Sequence, residues 1–174
     1  MQQQINDLKS DLDINIIRLS SLSVSVVSNA CFTIFGSNQF AFSLLSSKLH
    51  AVWIKTVCGQ LETRIRYSNT LGYNTFPIPE LSSTQKEELE EHAWQIISGR
   101  ESHAGKTIAW LYNPETMPEN LRIAHQKLDE CLERICIGRL FKSDEERLEY
   151  LFSKYVVLLR NEKSGGTREI NMGK

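Results

Sequence analysis

The chain has 174 residues, 41% of them hydrophobic and 24% charged, with a net charge of −1 and a pI near 6.4. This is the composition of one ordinary folded domain, or of a part-domain with a short second unit, and it excludes a uniformly basic nucleic-acid-binding protein. The amino terminus, MQQQINDLKSDLD, is too polar for a secretory signal and no apolar run could span a membrane, so the expected setting is the cytoplasm with no membrane partner.

Residues 1–20 have scattered apolar positions and read as a lead-in, either a short helix or an irregular segment. Leu22–Val27 alternates apolar and small polar residues, the pattern of a half-buried strand, and Cys31–Phe35 reads as a second strand. Asn29 and Gly36-Ser37-Asn38 supply turn chemistry. From Gln39 the period becomes helical. Phe40, Leu44 and Leu45 form one stripe, Ser46 or Ser47 can cap a second helix, and Leu49, Val52, Trp53 and Val57 give that helix its apolar face, with Gly59 as the stop. Ile65 and Tyr67 alternate with Arg64 and Arg66 as in a short strand, and the prolines of Tyr73–Pro79 favour an extended segment there.

After Pro79 the pattern turns wholly helical. Ser82 and Gln85 have capping-box spacing, and Leu89, Ala93, Ile96 and Ile97 predict a helix ending at Gly99. Residues 100–106 read as a polar loop and Thr107–Tyr112 as a short helix. Thr116 with Glu119 is a second box, opening a helix through Leu121, Ala124, Leu128, Cys131 and Ile135. Ser143 with Glu146 is a third, before Leu148, Leu151, Phe152, Tyr155, Val156 and Leu159. Residues 161–174 are polar and read as a disordered tail. The expected fold class is α+β, mostly helical: short strands with packed helices first, helical hairpins second.

Several chemistries can be set aside. Gly99–Thr107 imitates a phosphate-binding loop, but it has one residue too many between its glycines and follows a helix instead of a strand. His50, His92, His103 and His125 share no metal-ligand spacing, so no metal site is expected. Cys31, Cys58, Cys131 and Cys136 include no CxxC pair and read as reduced cysteines. No Ser/His/Asp arrangement nominates a catalytic residue.

Charge is more informative. Between Lys48 and Tyr67, Lys48, Lys55, Arg64 and Arg66 stand against Glu62 alone, whereas residues 80–91 hold five glutamates and one lysine. Two solvated faces of opposite sign would explain this, and so would a phosphate-facing patch beside a water-facing one. In an unbroken strand Glu62, Arg64 and Arg66 would share a face. Arginine can donate twice to guanine and glutamate can accept from the cytosine amino group, so such a face is suited to reading a G·C pair.

Phe42–Trp53, Val57-Cys-Gly-Gln-Leu61, Arg66-Tyr-Ser68 and Tyr73–Pro79 resemble the end of the target-recognition domain of MmeI-like DNA methyltransferases. Leu111–Pro118 followed by Ala124–Asp129 resembles the helical carboxyl-terminal domain of the same family. The blocks fall in the family's order over roughly residues 25–160. The resemblance divides the chain into a poorly matched lead-in at 1–20, the carboxyl-terminal part of a recognition domain at 21–80 and a helical domain at 81–160. It implies a fragment of an adenine-specific, S-adenosylmethionine-dependent methyltransferase of a restriction-modification system, in many members fused to an endonuclease. The implied partners are double-stranded DNA and the parent's catalytic methyltransferase domain. Glu62 and Arg64 fall where the family varies residues to choose a base. Lys48, Lys55, Arg66 and Tyr67 are then expected on the DNA backbone. The family's glycine-rich cofactor motif, its Asn-Pro-Pro-Tyr-type catalytic motif and any nuclease motif are missing, so this chain is expected to hold neither catalytic residues nor cofactor. Two rivals remain: a helical interaction module, and a piece of a type I restriction specificity subunit. Short helices argue against the latter.

Overall fold

The computed structural model describes residues 39–61 and 64–163. The expected strands at Leu22–Val27 and Cys31–Phe35, the lead-in at 1–20 and residues 164–174 lie outside the described residues. The observed class is mostly helical α+β.

Helix α1 spans Gln39–Leu45 and α2 spans Lys48–Val57. Ser47 separates them as a cap: its Oγ accepts from the backbone N–H of His50 at 3.2 Å and donates to the carbonyl of Leu44 at 2.6 Å. Helix α2 is buried from Lys48 through Ile54, so it lies inside the molecule and not on its rim. It stops at Cys58, and Gly59 already belongs to strand β1, Gly59–Leu61. Strand β2, Arg64–Arg66, pairs with β1 antiparallel, with Gly59 opposite Arg66 and Leu61 opposite Arg64.

The chain then makes a π-helical turn at Asn69–Tyr73, started by Ser68, whose hydroxyl accepts from the N–H of Leu71. Gly72 lets this turn press on α2. A methyl group there would stand 3.1 Å from both Cys58 Sγ and the Ile54 side chain. The turn occupies the first residue of the segment expected to be extended. Phe76 and Pro77 follow it into the core.

Helix α3, Ser83–Glu101, opens with the expected capping box: Ser82 accepts from the N–H of Gln85, and the Gln85 side chain accepts from the N–H of Ser82. It runs two residues past Gly99, the expected stop. Gly99 is instead a contact point, with Leu121 packed where a side chain would be. A short helix α4, Ile108–Leu111, capped by Thr107, leads to α5, Glu119–Ile137, and α6, Asp144–Lys163. Residues 161–163, expected in the tail, continue α6. The Thr116 box does not form. Pro118 occupies the N-cap of α5 with no side-chain cap, and the Thr116 hydroxyl donates to the carbonyl of Trp110. At α6, Ser143 Oγ accepts from the N–H of Glu146, but the Glu146 carboxylate turns to Arg139 and the N–H of Lys142.

One core runs through the described residues. Leu89 and Ile96 of α3 and Leu121 and Leu128 of α5 are fully buried, and α1 and α2 add Phe42, Leu49, Trp53 and Ile54 to the same cluster. At about 1.5–3 kcal/mol for each large apolar side chain removed from water, this shared cluster is what stabilises the assembly. No helix among the described residues is long and apolar enough to cross a membrane.

Candidate nucleic-acid interface

Strands β1 and β2 form a narrow antiparallel ribbon rooted on α2 and the π-helical turn. Ile65 and Tyr67 are half-buried against the core, while Arg66 is exposed. Gly59 is exposed at the other strand, and Lys55 projects into solvent from the last turn of α2. Arg64 and Arg66 both lie on β2. The shared face expected for Glu62, Arg64 and Arg66 assumed an unbroken strand. Residues 60–68 do not form one, because Leu61 pairs with Arg64 instead. Glu62 lies outside the described residues.

Two of the expected backbone-contact residues sit elsewhere. Lys48 is buried, with its Nζ 3.2 Å from Asp144 Oδ1, while its backbone N–H donates to Asp129 Oδ1 at 2.7 Å. Its ammonium is committed to an interhelical ion pair and is not displayed to a phosphate. The net positive stretch read from the sequence thus loses one of its charges to the fold. Tyr67 turns its hydroxyl toward His50 Nε2, 3.5 Å away, and burial raises its pKa. Half-buried, it packs against the core.

Beneath the ribbon, His50 is fully buried, edge-on to Phe76 with ring centroids 4.8 Å apart. Burial depresses its pKa to about 3. The folded chain keeps it neutral, whereas the unfolded chain protonates it near pH 6.5, so the unfolded state binds more protons between those values. Stability is expected to fall as pH drops below 6.5, by about 2 kcal/mol on reaching pH 5. His50→Gln should flatten this dependence in urea titrations at several pH values. An unchanged slope would mean that the ring is accessible to protons in the native state.

A second polar chain lies in the carboxyl-terminal half. Arg100, the residue that spoils the phosphate-loop imitation, donates from Nε to Tyr112 Oη at 2.8 Å and stacks over Phe42. Tyr112 Oη in turn lies 2.7 Å from His125 Nε2. This hydrogen-bonded chain joins α3 to α5 through Tyr112, the C-cap of α4. Sequence reasoning could not find it, because its members are scattered over 26 residues with no local pattern.

The fold and ribbon define a small recognition module joined to a helical bundle. Residues 20–80 match the model for the MmeI target recognition domain, and residues 81–161 match that for the MmeI C-terminal domain. The chain belongs to the MmeI family of restriction-modification proteins. It is 47% identical over 131 residues to DNA methyltransferase A of Bacillus subtilis (strain 168), an alignment covering 75% of this chain and 15% of the relative. It also matches a solved structure of the type IIL restriction-modification enzyme MmeI in complex with DNA. That match has 34% identity and a TM-score of 0.70, over 77% of this chain and 19% of that one. The chain thus spans less than a fifth of the length of these relatives.

Proposed function

We propose that this chain is a DNA-recognition segment of a restriction-modification methyltransferase. Within it Glu62 and Arg64 read a base pair, and Lys55 and Arg66 hold the phosphate backbone. The observation that supports this reading is the β1–β2 ribbon, with Arg64 and the exposed Arg66 on one strand and the exposed Lys55 in the last turn of the helix that leads into it, in a domain whose relative was solved bound to DNA. In the complete enzyme the chemistry would be S-adenosylmethionine-dependent methylation of a flipped adenine, supplied by the catalytic methyltransferase domain. The cytoplasm, where the chromosome is accessible, is the corresponding setting.

The test is selection of bound sequences from a randomised duplex pool, together with affinity against salt. Glu62→Ala/Arg64→Ala should relax preference at one base pair, worth about 1–3 kcal/mol of discrimination. Lys55→Ala/Arg66→Ala should weaken every sequence alike and reduce the slope of log affinity on log salt by about one unit per lost phosphate contact. Base preference that survives the first double substitution would reject the assignment of those residues. A second reading, a helical interaction module, draws on the last turns of α6, where Phe152, Val156, Val157 and Leu159 remain exposed. Failure to bind any duplex at low salt would favour it.

A further inference from the structure

We propose that Glu88, His92 and Cys131 form a zinc-class divalent metal site that fastens α3 to α5. Glu88 and His92 are four residues apart on α3, so they stand on adjacent turns of one face. Cys131 comes from the facing side of α5. One donor atom from each residue lies within 4.8 Å of the other two. A tetrahedral zinc ion with sulfur at about 2.3 Å and nitrogen and oxygen at about 2.1 Å sets donors about 3.5 Å apart, so side-chain rotation of roughly an ångström closes the site.

Three observations favour an ion here over a plain polar contact. The donors are the three that borderline divalent ions of the zinc class accept: a thiolate, an imidazole and a carboxylate. A calcium or magnesium ion would find only one oxygen ligand. The second observation is His92 Nδ1, which is buried and has no hydrogen-bond partner among the described residues. A buried ring nitrogen left without a partner costs free energy that a metal bond would recover. The third is the pairing of the Cys131 thiol with the Glu88 carboxylate. The thiol is hydrogen-bonded to that carboxylate, so sulfur and oxygen already stand side by side between α3 and α5. A divalent cation bound there would take the place of the thiol proton, which leaves to solvent, and would be held by sulfur and carboxylate together. The surrounding glutamates, Glu87, Glu90 and Glu91, add negative potential at the same end of α3. Glu88 is exposed, so water can complete the fourth position. Sequence spacing could not reveal this site, because its sulfur ligand arrives from a different helix.

The full chain, reduced and stripped of metal, should bind one Co²⁺ with a near-ultraviolet sulfur-to-cobalt charge-transfer band, and Zn²⁺ should displace it. Cys131→Ala should abolish the band and Cys136→Ala should leave it. His92→Gln and Glu88→Gln should each weaken Zn²⁺ at least tenfold in competition with a chromophoric chelator. Circular dichroism checks the fold of each variant. His92 and Glu88 are only partly buried or exposed, so their variants carry the test if Cys131→Ala does not fold. Absence of the band at one equivalent of Co²⁺, or unchanged Zn²⁺ affinity in His92→Gln, would overturn the site.

Discussion

Arg147→Met is expected to lower the free energy of unfolding by about 3–5 kcal/mol, the range for removing one member of a buried ion pair. Glu133 is 3% exposed and Arg147 8%. The guanidinium donates to Glu133 Oε1 from Nε at 2.8 Å and from Nη2 at 2.6 Å, and Glu133 Oε2 accepts from the N–H of Phe141 at 2.8 Å. Without the arginine, Glu133 keeps a single backbone donor for a charge that water cannot reach. The loss reaches further, because Arg147 Nη1 also donates to Asp144 Oδ1 at 2.9 Å, and Asp144 holds Lys48. Four alternating charges thus run from α5 through α6 to α2. Replacing both members, Glu133→Leu with Arg147→Met, should recover much of the stability, since no unpaired charge then stays buried. Urea unfolding of the two single variants and the double variant checks this. A loss below about 1 kcal/mol in Arg147→Met would show that solvent reaches Glu133 in the native state.

The same network marks the boundary between what the sequence reveals and what it hides. Local chemistry is legible where its partners are three or four residues apart. The Ser82–Gln85 box and the Ser47 cap form as expected because nothing distant competes for those hydroxyls. The Thr116 box has the same spacing and does not form. Pro118 already supplies the extended cap conformation, and the Thr116 hydroxyl is spent on closing the loop back to Trp110. Gly99 looks like a helix stop by residue type, yet its missing side chain is used for contact with Leu121, and α3 continues. Lys48 reads as a phosphate ligand because its neighbours in sequence are cationic. Its true partner, Asp144, lies in another helix and leaves no trace in local charge. The family blocks anticipated the matched domains, whereas their residue roles depend on which side chains the fold leaves at the surface. Of the four expected backbone contacts, Lys55 and Arg66 are exposed, Tyr67 is half-buried and Lys48 is buried in an ion pair.

Trp53→Ala is expected to cost about 3–5 kcal/mol, the range for truncating a fully buried large aromatic side chain. Trp53 is 1% exposed. Its ring lies against Phe152 and Tyr155 of α6, with centroids 5.2 and 5.5 Å away, and its indole N–H donates to Thr75 Oγ1 at 3.2 Å. One side chain therefore joins the recognition half, which contributes α2 and Thr75, to the carboxyl-terminal half, which contributes α6. Truncation removes the ring contacts and leaves a cavity at the seam between the two matched domains. Trp53→Phe keeps an aromatic ring against α6 but loses the indole N–H, and should cost about 1–2 kcal/mol. Because the core is continuous across the seam, unfolding of both variants should stay a single transition when tryptophan fluorescence and far-ultraviolet circular dichroism are followed together. Separate transitions in the wild type would show that the halves fold independently. The ribbon would then owe its position to α2 and the π-helical turn alone, and the helical domain could be removed without disturbing it.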